Sequence, residues 1–334
     1  MPSGLRRKLP FFVLVVLFAL ATAGVAAATN GGFTPVKPES PNASHTQTAY
    51  YVILGFTSAI FILVEGLLVA FIVKYRQRGR SRAVEGAQVH GHTRLELIWT
   101  VIPVVILCII GIVVFVQLPK INDAPAATDA IRITVVGHQY YWEYKYPGGA
   151  RSIGTLHVPV GRVVDLDVVS PDVIHSWWIP ALGGKIQAIP GRVNHIWFKA
   201  EKAGSYEGQC AELCGVYHAS MNAVVQAESQ QAYETYVSTT ARQTIGKQEW
   251  TGVCATCHGN LGKGGYGPDI SASTLVTSRA SLLGVLRQGV DTPGRPGAMP
   301  PVGIDWNNAQ INAIVAYVKK NIYKPAALGA TSGG

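Results

Sequence analysis

Apolar positions crowd into the first third of the chain. Three long runs lie before residue 120 and none follows it. The first, 9–25, comes after Arg6, Arg7 and Lys8 and ends at Ala26, Ala27 and Ala28. That layout predicts a cleaved export signal over residues 1–28. The second run, 50–73, and the third, 98–116, each approach the ~20 residues that a helix needs to cross a hydrocarbon core. Glu65 alone interrupts the second run, and no charge interrupts the third. Pro103 and Gly111 in the third are tolerated in a membrane helix. Residues 45–120 are therefore predicted to form a two-helix transmembrane hairpin. The stretch between the helices carries Lys74, Arg76, Arg78, Arg80 and Arg82. Short basic loops stay on the cytoplasmic side, so everything after Leu118 is expected outside. Glu65 is expected to meet a partner subunit or a neighbouring helix. Glu96 is expected at the inner membrane edge, beside an interfacial Trp99.

Beyond residue 120 the pattern changes from runs to alternation. Segments 131–136, 156–160 and 163–169 are β-branched and often alternate apolar with polar. Turn signals such as Pro147-Gly148-Gly149, Gly183-Gly184 and Pro190-Gly191 separate such segments. Residues 123–228 are thus predicted to form an all-β Greek-key sandwich or barrel. A polar stretch at 228–248 has helical character from 230 to 237. The last segment places Ile311, Ile314, Val315 and Val318 on one helical face, with Asp305 as the predicted N-cap. Residues 242–323 read as a small all-α domain, and 29–48 as a flexible lead-in.

Charge follows the same divisions. The net +9 splits into 11 Lys and Arg against 4 Asp and Glu over 1–122, 8 against 11 over 123–241, and 9 against 4 over 242–334. The excess is chiefly a membrane-orientation signal, and no nucleic-acid partner is implied. Cys108 lies in an apolar run and reads as inert packing. The other four of the five cysteines form two close pairs, each near a histidine.

Residues 209–221 read Q-C-A-E-L-C-G-V-Y-H-A-S-M. Soft and borderline ligands in this mixture suit copper over magnesium or calcium. The reading is a two-copper centre bridged by Cys210 and Cys214 and capped by His218 and the upstream His175. Met221 would be a weak ligand and the Glu212 carbonyl would fill the last position. A disulfide and a structural zinc site are the alternatives. Met221 argues against zinc. Further on, Cys254-Ala255-Thr256-Cys257-His258 is the attachment signature of a c-type haem. His258 is the predicted proximal iron ligand, and Met299 in G-A-M-P-P the sixth.

In order, the spans, L-E-L-I-W-T-V-I-P, G-H-Q-Y-Y-W-E-Y, D-V-I-H-S-W, A-I-P-G-R and Q-C-A-E-L-C-G-V-Y-H-A-S-M resemble subunit II of haem-copper cytochrome c oxidase. The resemblance covers residues 45–228. Residues 242–323 resemble the class I cytochrome c domain fused to this subunit in some bacterial oxidases. The resemblance implies a cupredoxin-like fold carrying a binuclear copper centre, CuA. Its ligands would be His175, Cys210, the Glu212 carbonyl, Cys214, His218 and Met221. It also implies a magnesium shared with subunit I at the Glu212 side chain, and a place for Glu96 at the mouth of a proton channel in subunit I. The implied location is a bacterial cell membrane, with both soluble domains extracytoplasmic. The implied partners are subunit I, the other oxidase subunits, membrane lipid and an electron donor such as a cytochrome c or an upstream cytochrome complex. Electrons would pass from that donor through haem c and CuA to subunit I, where oxygen reduction is coupled to proton translocation.

The family usually has Q-W-Y-W where this chain has Gln139, Tyr140, Tyr141 and Trp142. Tyr140 stands at the usual electron-input tryptophan, and Trp142 is either core packing or part of an input surface. A tethered haem domain of net +5 beside a copper domain of net −3 would dock by charge. Rival readings are a nitrogen-oxide reductase component, a quinol oxidase subunit and a copper carrier.

Overall fold

The computed structural model describes residues 35–76, 88, 90–291 and 299–324. The expected signal at 1–28 and most of the basic loop fall outside those residues. The chain divides into two compact units, Ser44–Asp123 and the remainder.

The first unit carries two long helices, α1 (Pro41–Tyr75) and α2 (Thr93–Asn122). Both are long and apolar enough to cross a membrane. Apolar residues cover every face, as lipid contact requires. At the start of α2, Glu96 accepts the His92 backbone N–H at 2.9 Å, and His92 Nδ1 accepts from Leu95 N at 3.3 Å. Each side chain thus closes one of the N–H groups that a helix leaves open at its first turn.

In the second unit, ten strands form two five-stranded sheets. One runs β3 (Arg151–Ile153), β2 (Tyr141–Lys145), β1 (Ile131–His138), β5 (Val164–Val169), β8 (Asn194–Phe198). The other runs β4 (Thr155–Pro159), β10 (Asn222–Glu228), β9 (Gly204–Cys210), β6 (His175–Trp178), β7 (Ile186–Ala188). Each sheet holds one parallel pair, β1 with β5 and β4 with β10. Strand β5 shows the cause of the burial. Val164, Leu166 and Val168 point into the core while Asp165 and Asp167 point away, as a period of two demands. Ile133, Leu156, Val158, Val225, Trp142 and Phe198 fill the space between the sheets. This is the cupredoxin-like β domain.

The lead-in is fixed from Glu39 onward. Glu39 N donates to Ala181 O, Glu201 N donates to Glu39 O, and the buried Asn42 side chain donates to Trp197 O at 2.6 Å. Its polar groups complete backbone bonds of the β domain, which overrides its loop-like composition.

After β10, Ser229 caps an unbroken helical stretch from 230 to 258. It comprises α3 (Gln230–Thr235), α4 (Ala241–Glu249) and α5 (Ala255–His258), joined by wider π-type turns at Tyr236–Thr240 and Trp250–Cys254. Two further helices follow, α6 (Arg279–Gln288) and α7 (Asn308–Asn321). Helix α4 crosses α7 at Gly246, where a Cβ would stand 2.3 Å from the Ala313 carbonyl oxygen. Only glycine lets the two backbones meet there. Asn307, not Asp305, caps α7, in a reciprocal box with Gln310. Asp305 pairs with Lys145 at 2.7 Å instead. A tertiary partner has taken it from the cap.

Glu249 on α4 is fully buried, and neither of its carboxylate oxygens has a hydrogen-bond partner among the described residues. Burial pushes its pKa up from 4.5 to about 9, so the folded protein keeps this proton. The unfolded chain releases it above pH 4.5, so the contribution is complete below that value and is lost as pH rises towards 9. Glu249→Gln is expected to stabilise the protein by about 3 kcal/mol at pH 7, and by more at pH 8 than at pH 6. Thermal unfolding across that range, followed by tryptophan fluorescence, measures it.

Candidate metal centres

The register of β9 and β10 builds the first site. Gln209 pairs with Asn222, and Cys210 N donates to Met221 O at 2.9 Å. Cys210 and Met221 are thereby the last pair before the chain loops out through 211–220. Strand β6 lies on the other side of β9, with Trp177 opposite Cys210. This pairing closes the 35-residue gap and brings His175 to the same end of the sheet. Gly137 of β1 makes room for it, since a Cβ there would come within 2.9 Å of the His175 ring.

Cys210, Cys214, His175 and Met221 are buried, and His218 and Glu212 are half-buried. The two sulfurs stand 4.0 Å apart, and neither cysteine is in a disulfide. Around them lie His218 Nδ1 at 3.6 Å and Met221 Sδ at 3.8 Å from Cys214 Sγ, and the Glu212 carbonyl at 3.2 Å from Cys210 Sγ. One ring nitrogen of His175 and both sulfurs fall within 4.8 Å of one another. Four donors converge on the two sulfurs, and the six together are more than the four that one tetrahedral zinc accepts.

Two further observations fit metal. His175 Nε2 bonds Asp172 at 2.8 Å, while its Nδ1 is buried without a hydrogen-bond partner among the described residues. A buried nitrogen of this kind costs free energy unless something else binds it. Asp172 is itself held, by Gln139 N at 2.7 Å and Val173 N at 2.6 Å. Burial raises its pKa, yet His175 and these two N–H groups bring it below the ordinary value. The thiols are the second observation. Cys214 supports a thiolate at Cys210, whose pKa lies far below the usual range, and is itself pushed far above it by that charge. The pair readily carries one charge, and a second needs a cation.

The loop carries Leu213 and Val216, 78% and 77% exposed. The Glu212 carboxylate turns away from the sulfurs and accepts from Gln187 Nε2 at 3.3 Å, in a recess with Lys185 and Arg192. Trp142 is fully buried, its ring centre 5.9 Å from that of His175. Tyr140 packs edge-on against Tyr217 at 5.2 Å, and Tyr217 against Tyr266 at 5.3 Å.

The second site is an apolar cavity of about 310 Å³ in the helical domain. Cys254, Cys257, His258 and Met299 all line it. His258 Nδ1–H donates to Pro268 O at 2.9 Å, which leaves Nε2 as the ligand nitrogen. Gly267 lies so close beneath the ring that a Cβ would stand 2.7 Å from His258 Cε1. Val290 and Met299 exchange two backbone bonds, of 3.0 and 2.9 Å, and so hold Met299 at the cavity. Burial pushes the Cys254 thiol up to about 12. A neutral sulfur suits that position, as a thioether would be.

Sequence reasoning placed all these donors but missed Asp172, Gln139 and Tyr217. Asp172 stands three residues before His175 and could have been found by asking what orients the ring. Gln139, whose Nε2 donates to Cys214 O at 2.6 Å, gave no local signal.

Known proteins bear on both sites. The family profile of the cytochrome c oxidase subunit II periplasmic domain matches residues 151–228, and that of its transmembrane domain matches 28–116. The profile of the cbb3-type cytochrome c oxidase subunit III matches 241–318. Cytochrome c oxidase subunit 2 of Alkalihalophilus pseudofirmus is 30% identical over 86% of this chain and 90% of that relative. The subunit 2 of Cereibacter sphaeroides is 31% identical over 59% of this chain and 78% of its own length. Among solved structures, the periplasmic domain of subunit II of cytochrome oxidase from Bradyrhizobium japonicum is 36% identical, covering 36% of this chain and 97% of that one at a TM-score of 0.34. The chain belongs to the cytochrome c oxidase subunit II family, as the subunit II of a haem-copper oxidase that also carries a cytochrome c-type domain.

Proposed function

We propose that this subunit receives electrons from an external donor on a c-type haem, holds them next on a binuclear CuA centre, and delivers them to subunit I for oxygen reduction coupled to proton translocation. Residues 45–120 anchor it in the membrane, 123–228 hold copper and 242–323 hold haem, with both soluble domains outside. The observation that carries the reading is the convergence of His175, Cys210, the Glu212 carbonyl, Cys214, His218 and Met221 at one end of the sheet.

When bound, the copper pair supplies a one-electron store and the haem supplies another. The residues do the rest. Cys210, Cys214, His175 and His218, with Met221 and the Glu212 carbonyl, would hold the copper pair. Asp172 fixes the tautomer and direction of His175, and Gln139 holds the Cys214 carbonyl. Strands on both sides keep the donors from moving, which keeps the energy of reorganisation low. In the helical domain Cys254 and Cys257 would attach the haem, and His258 and Met299, which line the same cavity, would ligate its iron. The Glu212 carboxylate, which accepts from Gln187 Nε2, would share a magnesium with subunit I. Glu96 is assigned to the mouth of the proton channel there, and its bond to His92 sets its direction. Tyr140 and Trp142 lie beside the copper ligands as electron-transfer residues.

Copper analysis and a pyridine haemochrome spectrum of the purified chain test the reading. They should return copper in twofold excess over a covalently bound haem, and copper without haem, or zinc in its place, would overturn it. Cys214→Ser should abolish the shared-copper absorbance and leave the haem spectrum intact. Asp172→Asn should weaken copper binding about 10–100-fold, as loss of a ligand-orienting carboxylate does, measured by competition with a chelator. Cys254→Ala with Cys257→Ala should leave no haem on the polypeptide in a denaturing gel stained for haem.

A further inference from the structure

The register of β1 and β2 puts His138 opposite Tyr141 and Val136 opposite Glu143. With a side-chain period of two, His138, Tyr141, Glu143 and Lys145 share one face of the sheet. Trp142 and Tyr144 take the other face, in the β core. The helical domain covers the first face, and Tyr141 and Ile153 are buried there beside Trp306 and Ile311. Asp305, two residues before the cap of α7, reaches into the same place. His138 Nε2 stands 3.7 Å from Glu143 Oε2 and 3.6 Å from Asp305 Oδ1, and the three atoms lie within 4.8 Å of one another. His138, Glu143 and Asp305 belong neither to the copper ligands nor to the lining of the cavity at His258.

The atoms that face inward are unsatisfied. The His138 and Glu143 side chains are 1% and 0% exposed. Both ring nitrogens of His138, Glu143 Oε2 and Asp305 Oδ1 have no hydrogen-bond partner among the described residues. Gaps of 3.6 and 3.7 Å are too long for hydrogen bonds. They are close to the spacing of ligands around one tetrahedral zinc, where bonds of about 2.0–2.1 Å put donors about 3.3–3.4 Å apart. One imidazole and two carboxylates suit zinc, whereas calcium and magnesium take oxygen ligands.

The outer edges of the same side chains are held. Glu143 Oε1 accepts from Arg151 at 2.6 Å and from Gln310 Nε2 at 2.9 Å. Asp305 Oδ2 accepts from Lys145 Nζ at 2.7 Å. The His138 ring lies flat against Tyr141, with ring centres 4.6 Å apart. Each candidate ligand is thus oriented from behind, as a metal site requires. Lys145 is the competing cation, with Nζ 3.5 Å from Glu143 Oε2. Its side chain is 28% exposed and that of Asp305 30%, which gives an ion a way in and the lysine a way out.

We propose that His138, Glu143 and Asp305 form a zinc-binding site, with water as the fourth ligand, separate from the copper and haem sites. Zinc bound there cross-links the β1–β2 hairpin to the loop that precedes α7. The site does not rest on the electron-carrying reading.

The full chain, purified in detergent with its cofactors, is dialysed against zinc chloride and then against buffer, and its zinc is measured. A single zinc ion per chain should remain. Its K-edge X-ray absorption should show nitrogen and oxygen neighbours at about 2.0–2.1 Å and no sulfur. His138→Gln and Asp305→Asn should each weaken zinc binding about tenfold or more. Lys145→Met, which removes the competing charge, should tighten it about threefold or more. A gain in affinity does not come from misfolding, so this variant tests the site even where His138→Gln fails to fold. Loss of all zinc on dialysis overturns the proposal, as does an affinity unchanged in Asp305→Asn and Lys145→Met. A sulfur neighbour at about 2.3 Å also overturns it, because the zinc would then lie at the cysteines. That last result would count against the copper reading as well, whereas the first two would leave it standing.

Discussion

Two buried thiols cannot both ionise unless a cation lies between them, and the geometry around Cys210 and Cys214 follows from that constraint. The β9–β10 register fixes the first sulfur against Met221, and the loop returns the second to within 4.0 Å. Strand β6 delivers His175 with one nitrogen tied to Asp172 and the other left buried and unpaired. Cys210 satisfies its backbone N–H through the sheet, which leaves its sulfur and the buried His175 Nδ1 free to face the same place. A candidate site of this kind would store binding energy for metal rather than stability for the apoprotein.

The same economy governs the joint between the two soluble domains. Glu143 would be costly to bury alone, and against the pull of burial His138, Lys145 and Arg151 hold its carboxyl down to about 2, while Gln310 donates to it at 2.9 Å. Because Gln310 comes from the helical domain, that domain is part of the solution for a charge on the sheet. Tyr141 plays the apolar counterpart. As a member of the subunit II family, the chain is a component of an oxidase complex, and its two candidate centres lie in soluble domains joined by buried contacts.

Much of this was legible in the sequence because the chemistry is local. The spacing Cys210, Cys214, His218, Met221 and the run Cys254, Cys257, His258 name their candidate donors within a few residues. The spans announced themselves by length, and β5 by its alternation. What stayed hidden depends on partners far along the chain. Asp305 is a sound cap candidate, but Lys145, 160 residues earlier, claims it and Asn307 caps instead. Ser40 and Asn42 sit in a stretch composed like a loop, yet they answer open groups near Trp197 and Lys199. The net charges suggested attraction between separate domains, and no sum of charges could show that Tyr141 and Ile153 lie inside the junction.

The central claim is that two coppers share one electron across Cys210 and Cys214. Electron paramagnetic resonance of the oxidised, purified protein tests it most directly. The account predicts one unpaired electron coupled equally to two copper nuclei, superimposed on the signal of a low-spin haem. A signal from electron density on a single copper nucleus, or no copper signal from a metal-replete sample, would contradict it.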